Sequence, residues 1–211
     1  MKITGIGTGK LGLATATSLA RIGHDVFCVD RDEYRVEQLS RGLLPFAEPE
    51  LNAWLTGAVE CRKLQFTSLL REAVASADTI YLAVDTPTNP DGVTDLRELW
   101  IVTDMLMYHL RTETRLVIKS VVPCNTNQQV ADRINRMTWR DFDVISHPCD
   151  SQPESMVDEI LGPEKIEVGC RKRENADHLE CLDGSFQSRF VGATSESTEV
   201  ITRQAATLRA G

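Results

Sequence analysis

The sequence predicts an α/β fold, a doubly wound and mostly parallel sheet with helices on both faces. Two observations predict it. Short runs rich in Val and Ile alternate with segments of helical periodicity, and a turn carrying three glycines joins the first run to the first helical segment. The strand-like runs fall at residues 3–6, 25–29, 79–84, 115–119 and 142–146, and they are near-continuous in apolar character, as strands covered on both faces must be. Helical periodicity places helices at 10–22, 33–41, 69–76, 96–110 and 125–137. Helical crossovers of this kind return the chain to the start of a parallel neighbour. Gly23 and Gly42 follow two of the helices where a glycine stop belongs. Between 148 and 163 the composition turns to prolines, acids and short apolar pieces. A strand-like stretch at 165–168 follows, then a helix near 175–182 and another after Glu196. No internal repeat or low-complexity linker divides the chain.

Composition narrows the function classes. Of 211 residues 42% are hydrophobic and 26% charged, a globular balance, and no uninterrupted apolar run of about 18 residues suggests a membrane span. The N-terminus enters a strand at once without the basic, apolar and small-residue order of a signal peptide, so the expected location is the cytoplasm. A net charge of −8 without a basic stripe argues against nucleic acid and anionic membranes as partners. Cys28, Cys61, Cys124, Cys149, Cys170 and Cys181 show no Cys-x-x-Cys spacing, which argues against a zinc site and a disulfide framework. His24, His109, His147 and His178 show no metal-ligand spacing either, and no metal is expected.

The first strand leads into Gly7-Thr8-Gly9-Lys10-Leu11-Gly12, which opens the first helix. In that context a Gly-x-Gly-x-x-Gly pattern reads as a Rossmann-type dinucleotide site. Gly7 permits the tight turn, Gly9 lets a pyrophosphate approach the backbone, and Gly12 lets the helix pack on the strand. The helix N-terminus then faces the phosphate charge. Asp30 ends the second strand about 20 residues on, where a carboxylate accepts the hydroxyls of the adenosine ribose. That favours NAD over NADP, although Arg31 beside it offers a 2′-phosphate partner. Read structurally, the same residues are a turn that merely packs and an Asp30 that caps; the order of strand, turn, helix and strand favours the cofactor.

Further motifs are more specific. They are Gly23-His24-Asp25-Val26, Val29-Asp30, Arg41-Gly42 with Pro45 and Glu48-Pro49, Phe66-Thr67, Ala77-Asp78, Thr86-Pro87 with Asp91-Gly92 and Asp95-Leu96, and Lys119-Ser120 with Val122-Pro123. They thin after Pro148 but continue at Lys165-Ile166 and Val168-Gly169. Through them nearly the whole chain resembles the N-terminal domain of the UDP-glucose/GDP-mannose 6-dehydrogenase family, enzymes that oxidise a nucleotide sugar's C6 alcohol to a carboxylate with two NAD. The resemblance implies NAD as cofactor and Gly7, Thr8, Gly9, Lys10, Leu11, Gly12, Asp30, Arg35, Thr86, Pro87 and Ser120 as its contacts. It also implies one domain over 1–211: a nucleotide-binding core at 1–120, the remainder of the sheet at 121–195, and at 196–211 the start of a helix leading to an absent substrate domain.

The family's reaction needs a cysteine to trap the aldehyde, a lysine and an asparagine for developing oxyanions, and a glutamate and a threonine to manage water and protons. This sequence departs at each. Val121 stands in place of the threonine of "K-S-T-V-P", and Cys149 in place of the glutamate of "N-P-E-F-L", with Asp150 or Glu154 near enough to compensate only if the loop shifts. The best register for "K-Y-x-x-N" gives Thr202 and Ala206, and the family's cysteine falls beyond residue 211. Cys149 is a replacement nucleophile only if a cation such as His147 stabilises its thiolate. Lys119, His147 and Cys149 are thus the remaining catalytic candidates. Asp85 replaces a small residue near the cofactor and is expected to weaken binding; Glu50 replaces the glycine of "E-P-G-L".

The expected function is that of an NAD-binding, catalytically deficient relative, a pseudoenzyme linked to nucleotide-sugar metabolism or polysaccharide biosynthesis. The alternatives are a fragment active with a separate chain that carries the absent half, and a small dehydrogenase acting through Lys119 and His147. The partners these readings imply are NAD or a related dinucleotide, a nucleotide sugar, a protein carrying the absent half, or a second copy in a homodimer.

Overall fold

A computed structural model describes residues 1–147, 165–183 and 189–193. The chain runs β1 (Lys2–Ile6), α1 (Lys10–Arg21), β2 (Asp25–Val29), α2 (Glu33–Ser40), α3 (Pro49–Glu60), β3 (Leu64–Thr67), α4 (Leu70–Val74), β4 (Thr79–Leu82), α5 (Arg97–Leu106), β5 (Arg115–Ile118), α6 (Thr126–Thr138), β6 (Val144–Ser146), β7 (Lys165–Gly169), α7 (Arg173–Asp183) and β8 (Arg189–Ala193). The eight described strands form one sheet in the order β3-β2-β1-β4-β5-β6-β7-β8. All neighbours are parallel except β6 and β7, which meet antiparallel at Ser146 and Gly169. The expected doubly wound, mostly parallel sheet is therefore present. Its order reverses at β1, which pairs with β2 on one side and β4 on the other, and the crevice of such a sheet lies beyond the strand ends at that reversal.

Alternation along each strand feeds two cores. Ile3, Val26, Cys28, Tyr81, Val117 and Ile145 face α1, α3 and α7 through Leu13, Leu19, Leu55 and Leu179. Ile80, Leu82, Leu116, Ile118 and Val144 face the other side, against Val74, Leu99, Leu106, Val130 and Ile134. Both faces are covered by helices, which explains why the strand runs read as continuous apolar segments.

Three elements escape the sequence reading, among them β8, which falls in a tail that carried no strand expectation. Helix α3 starts with Pro49 at its first turn and buries Leu51, Leu55 and Ala58, spaced four and three apart, but Ala53 and Trp54 off that face blur the periodicity and Gly57 breaks the run. Strand β3 is the sheet edge, only four residues long and buried fully only at Leu64. Several bounds also shift by one to four residues. Helix α5 stops at Leu106, four residues short of expectation, and α6 starts one residue late because Asn125 is left-handed, with φ 67°. The expected helix after Glu196 lies outside the described residues.

At the N-terminal ends of the strands α7 is clasped to the sheet. The buried Asp143 carboxylate accepts hydrogen bonds from Arg171 N (3.2 Å), Lys172 N (2.9 Å) and Asn175 Nδ2 (2.8 Å), an acidic cap where the helix dipole is positive. Thr79 Oγ1 meets His178 Nε2 at 2.8 Å, and His24 Nε2 meets the Leu182 carbonyl at 3.1 Å. Burial, with Arg115 second, brings the His178 pKa down to about 4. At the other end of the sheet α1 packs so closely that a Cβ on Gly12 would run into the Gly7 carbonyl oxygen.

Gly12→Ala should therefore destabilise the protein by about 1–3 kcal/mol, the usual cost of overpacking, or roughly 3–10 °C in Tm. Gly57→Ala, in α3 with nothing within 4 Å of its Cβ position, should instead gain up to about 1 kcal/mol. Equal Tm changes in thermal denaturation would contradict the packing described. A second expectation concerns acid. Because the folded pKa of His178 lies below its ordinary 6.5, the unfolded chain takes up the proton first. The contribution of His178 to stability is then complete above pH 6.5 and is lost as pH falls toward about 4. Denaturant titrations at pH 7, 6, 5 and 4.5 should show a shallower acid loss in His178→Gln than in the parent, and identical slopes would rule the effect out.

Candidate cofactor site

The site grows from the end of β1. Gly7 donates its N–H to the Val29 carbonyl at the end of β2 (3.0 Å), with φ +103°, and a side chain there would strike the Ala83 carbonyl just past β4. The turn is thus pressed against its neighbours on both sides. Gly9 caps α1 in extended backbone without any side-chain cap, so the helix's first N–H groups are left for another acceptor. This is the geometry that receives a phosphate group.

Asp30 sits one residue past β2 and faces the turn. Its Oδ2 accepts from Thr8 N (3.2 Å) and from the Thr8 hydroxyl, and pairs with Arg35 Nη1 at 3.6 Å; its Oδ1 accepts from Asp32 N (3.0 Å). A carboxylate offers about four acceptor positions, so Asp30 ties the glycine turn to β2 and keeps acceptor capacity mainly on Oδ1. A ribose placed here shares the carboxylate with Thr8.

A cleft of about 500 Å³ opens over these residues. Gly7, Thr8, Gly9, Asp30, Arg31, Arg35 and Asp85 line it, so the structure brings together seven of the residues singled out for the cofactor in the sequence. The far wall was not legible: Ser68 and Leu70 follow β3, and Glu98, Ile101, Val102 and Met105 come from one face of α5. Their spacing of three, four and seven was the available signal, since Ile101 and Met105 are about half exposed although apolar. Arg31 reaches across to Glu98 at 3.2 Å and bridges the two walls. Four carboxylates, those of Asp30, Asp32, Asp85 and Glu98, face two guanidiniums in this lining.

Other candidates lie elsewhere. Lys10 is exposed with its Nζ 5.5 Å from the Phe46 ring centre, Leu11 is half-buried, and Gly12 is buried under the turn. Thr86 and Ser120 knit the loops after β4 and β5: Thr86 Oγ1 donates to the Val121 carbonyl (2.6 Å), and Ser120 Oγ to the Val84 carbonyl (2.8 Å). Pro87, like them, is absent from the cleft lining, and it is exposed. Lys119 and His147, adjacent across β5 and β6, are buried on the Tyr81 side of the sheet; the His147 ring lies 6.3 Å from that of Tyr81. Burial, then the Lys119 charge, holds the His147 pKa well below 6.5, and its Nδ1 has no partner among the described residues. Cys149, Asp150, Glu154, Thr202 and Ala206 lie outside the described residues. Burial pushes the Cys28 thiol up to about 12, which makes it inert as a nucleophile. Among the described residues no group of three potential ligands could hold a metal ion, and no helix is long and apolar enough to cross a membrane.

Comparison with known proteins bears on this cleft. The family model described as "UDP-glucose/GDP-mannose dehydrogenase family, NAD binding domain" matches residues 1–186. UDP-glucose 6-dehydrogenase of Rhizobium meliloti is 36% identical over 209 residues, which cover 95% of this chain and 48% of that protein. The Rickettsia bellii UDP-glucose 6-dehydrogenase is 31% identical over 179 residues, 85% of this chain and 41% of that protein. A solved ternary complex of GDP-mannose dehydrogenase from Pseudomonas aeruginosa superimposes with a TM-score of 0.93 at 24% identity, over all of this chain and 50% of that one. A UDP-glucose dehydrogenase from Pyrobaculum islandicum does so with a TM-score of 0.90 at 26% identity, over 98% of this chain and 49% of that one. The chain spans about half the length of the relatives it matches. With the family model matched over residues 1–186, the chain belongs to the UDP-glucose/GDP-mannose dehydrogenase family, as its NAD binding domain.

Proposed function

We propose that residues 1–211 bind NAD in the cleft between the glycine turn and α5 and, by themselves, do not oxidise a nucleotide sugar. The observation that carries the reading is the joint placement of Gly7, Gly9 and Asp30 around one open cleft. Gly9 and the uncapped start of α1 receive the pyrophosphate, Asp30 and Arg35 the adenosine ribose, and the apolar strip of Leu70, Ile101 and Met105 the adenine ring. The chemistry such a cofactor would supply is hydride acceptance at its nicotinamide; the residues named here would hold and orient it. Asp85 weakens this binding, because a Cβ built on Gly9 would lie only 3.2 Å from Asp85 Oδ1. A carboxylate about 4 Å from a phosphate charge costs on the order of 1–4 kcal/mol between aqueous and intermediate dielectric.

The catalytic deficiency rests on Val121, whose side chain offers methyl groups where the family pattern has a hydroxyl, and on the burial of Lys119 and His147 outside the cleft lining. The role that follows is that of a cofactor-binding protein of the cytoplasm in nucleotide-sugar or polysaccharide metabolism, acting on other proteins or with a partner that supplies the substrate half. The neutral, buried His147 beside Lys119 favours one further reading, a dehydrogenase whose proton acceptor has moved to β6.

Calorimetry tests the binding. NAD at ten times its Kd should stabilise the fold by about 1.4 kcal/mol, roughly 3–6 °C in Tm, and Gly9→Val should remove most of that shift. No heat and no shift at millimolar NAD or NADH would refute the cofactor reading. NADH formation tests the deficiency: with UDP-glucose, GDP-mannose and related sugars at high protein concentration, the rate should stay at background. Loss of preorganised oxyanion groups typically costs about 100- to 1000-fold each, with non-additive totals. Sustained turnover abolished by Lys119→Ala or His147→Gln would establish the relocated dehydrogenase instead.

A further inference from the structure

The cofactor, if seated as proposed above, lies with its adenosine at Asp30 and its pyrophosphate at Gly9. Its nicotinamide must then continue past Gly9, away from Asp30, toward the loop after β4. The charged residue of the cleft lining in that loop is Asp85, beside Ala83 and Val84; its Oδ1 comes within 3.2 Å of the Cβ position of Gly9, and it is exposed. The remaining charges are accounted for elsewhere. Asp30 pairs with Arg35 and Glu98 with Arg31 at the adenosine end, Asp32 caps α2 by accepting from Arg35 N, and Lys10 lies outward over Phe46. Lys119, just past β5, is buried beside His147 and does not line the cleft. The nicotinamide end of the cleft therefore presents one carboxylate without a cationic partner among the described residues.

The two redox forms of the cofactor differ by one charge at that end. The oxidised ring is a pyridinium cation and the reduced ring is neutral, while the pyrophosphate is the same in both. A fixed carboxylate repels the pyrophosphate of both forms equally but attracts only the oxidised ring. We infer that Asp85 makes this cleft selective for the oxidised dinucleotide, so that its occupancy follows the NAD+/NADH ratio rather than the total pool. This inference rests on the binding proposed above and gives the departure at Asp85 a function: it lowers affinity overall and shifts what remains toward one redox state. A chain without turnover of its own then serves as a reader of redox poise.

Coulomb attraction across about 6 Å, at an effective dielectric between about 40 and 80, corresponds to roughly a three- to tenfold preference. The experiment is calorimetry or equilibrium dialysis of the full 211-residue chain with NAD+, NADH and ADP-ribose, at low and at high salt, repeated for Asp85→Asn and Asp85→Gly. Both variants alter an exposed loop residue and should keep the parent Tm without ligand. Expected is an NAD+/NADH affinity ratio about three- to tenfold larger in the parent than in either variant, shrinking as salt screens the charge, with ADP-ribose, which carries no nicotinamide, binding more tightly to both variants than to the parent. An affinity ratio unchanged by either substitution, while the dinucleotides still bind, would overturn the redox selectivity and leave the cofactor site standing. Absence of binding by all three ligands would overturn both.

Discussion

The constraint on which the rest depends is the contact between the Gly7 carbonyl and the first turn of α1. A parallel sheet can hold a dinucleotide at its strand ends only if the helix after the first strand starts close enough for its N–H groups to reach a phosphate. Here that closeness is enforced from three directions. The Gly7 amide is held by the Val29 carbonyl, its Cα faces the Ala83 carbonyl, and Gly12 rests on the Gly7 oxygen. Each neighbour is backbone and cannot swing aside. Asp30 completes the arrangement by accepting from Thr8, so the acidic group suited to a ribose also serves as the strut that sets the turn.

What the sequence disclosed and what it withheld follow from the range of each interaction. Gly7, Gly9, Gly12 and Asp30 were legible because their roles are local: backbone torsion, close approach and position at a strand end are written within a few residues. The continuous apolar strands gave the sheet for the same reason. Strand β3 was not legible because an edge strand of four residues buries little and shows neither alternation nor a full apolar run. The far wall of the cleft was missed because Ser68 belongs to one crossover and Glu98 and Met105 to another, and they meet only through the topology. The sequence also grouped Thr86 and Ser120 with the cofactor contacts, whereas their hydroxyls are engaged with backbone carbonyls between two loops.

Charge divides the molecule along the strand direction. The strand starts carry a closed electrostatic arrangement. Asp143 is capped by α7, and the Asp141 carboxyl is held down to about 2 by hydrogen bonds and charge from Lys172 and Arg171. The strand ends carry an open one, in which carboxylates outnumber guanidiniums along the cleft. A surplus of one sign is tolerable where a ligand or water completes the field, and costly where helix and sheet are packed. The distribution accordingly separates the residues that hold α7 in place from those that face solute.

The reversal at β7 has a different kind of consequence. Since β7 runs against β6, the chain leaves β6 and re-enters the sheet at the same end, and β8 follows β7 in the reversed direction. The last two strands therefore enter from the end of the sheet where the first six stop, and β7 delivers the chain to the opposite end, where α7 begins. Arg171 and Lys172, which donate to Asp143 just ahead of β6, mark the point of arrival. One reversed pairing thus decides which end of the sheet the helix between β7 and β8 starts from, and it places that helix away from the turn at Gly7.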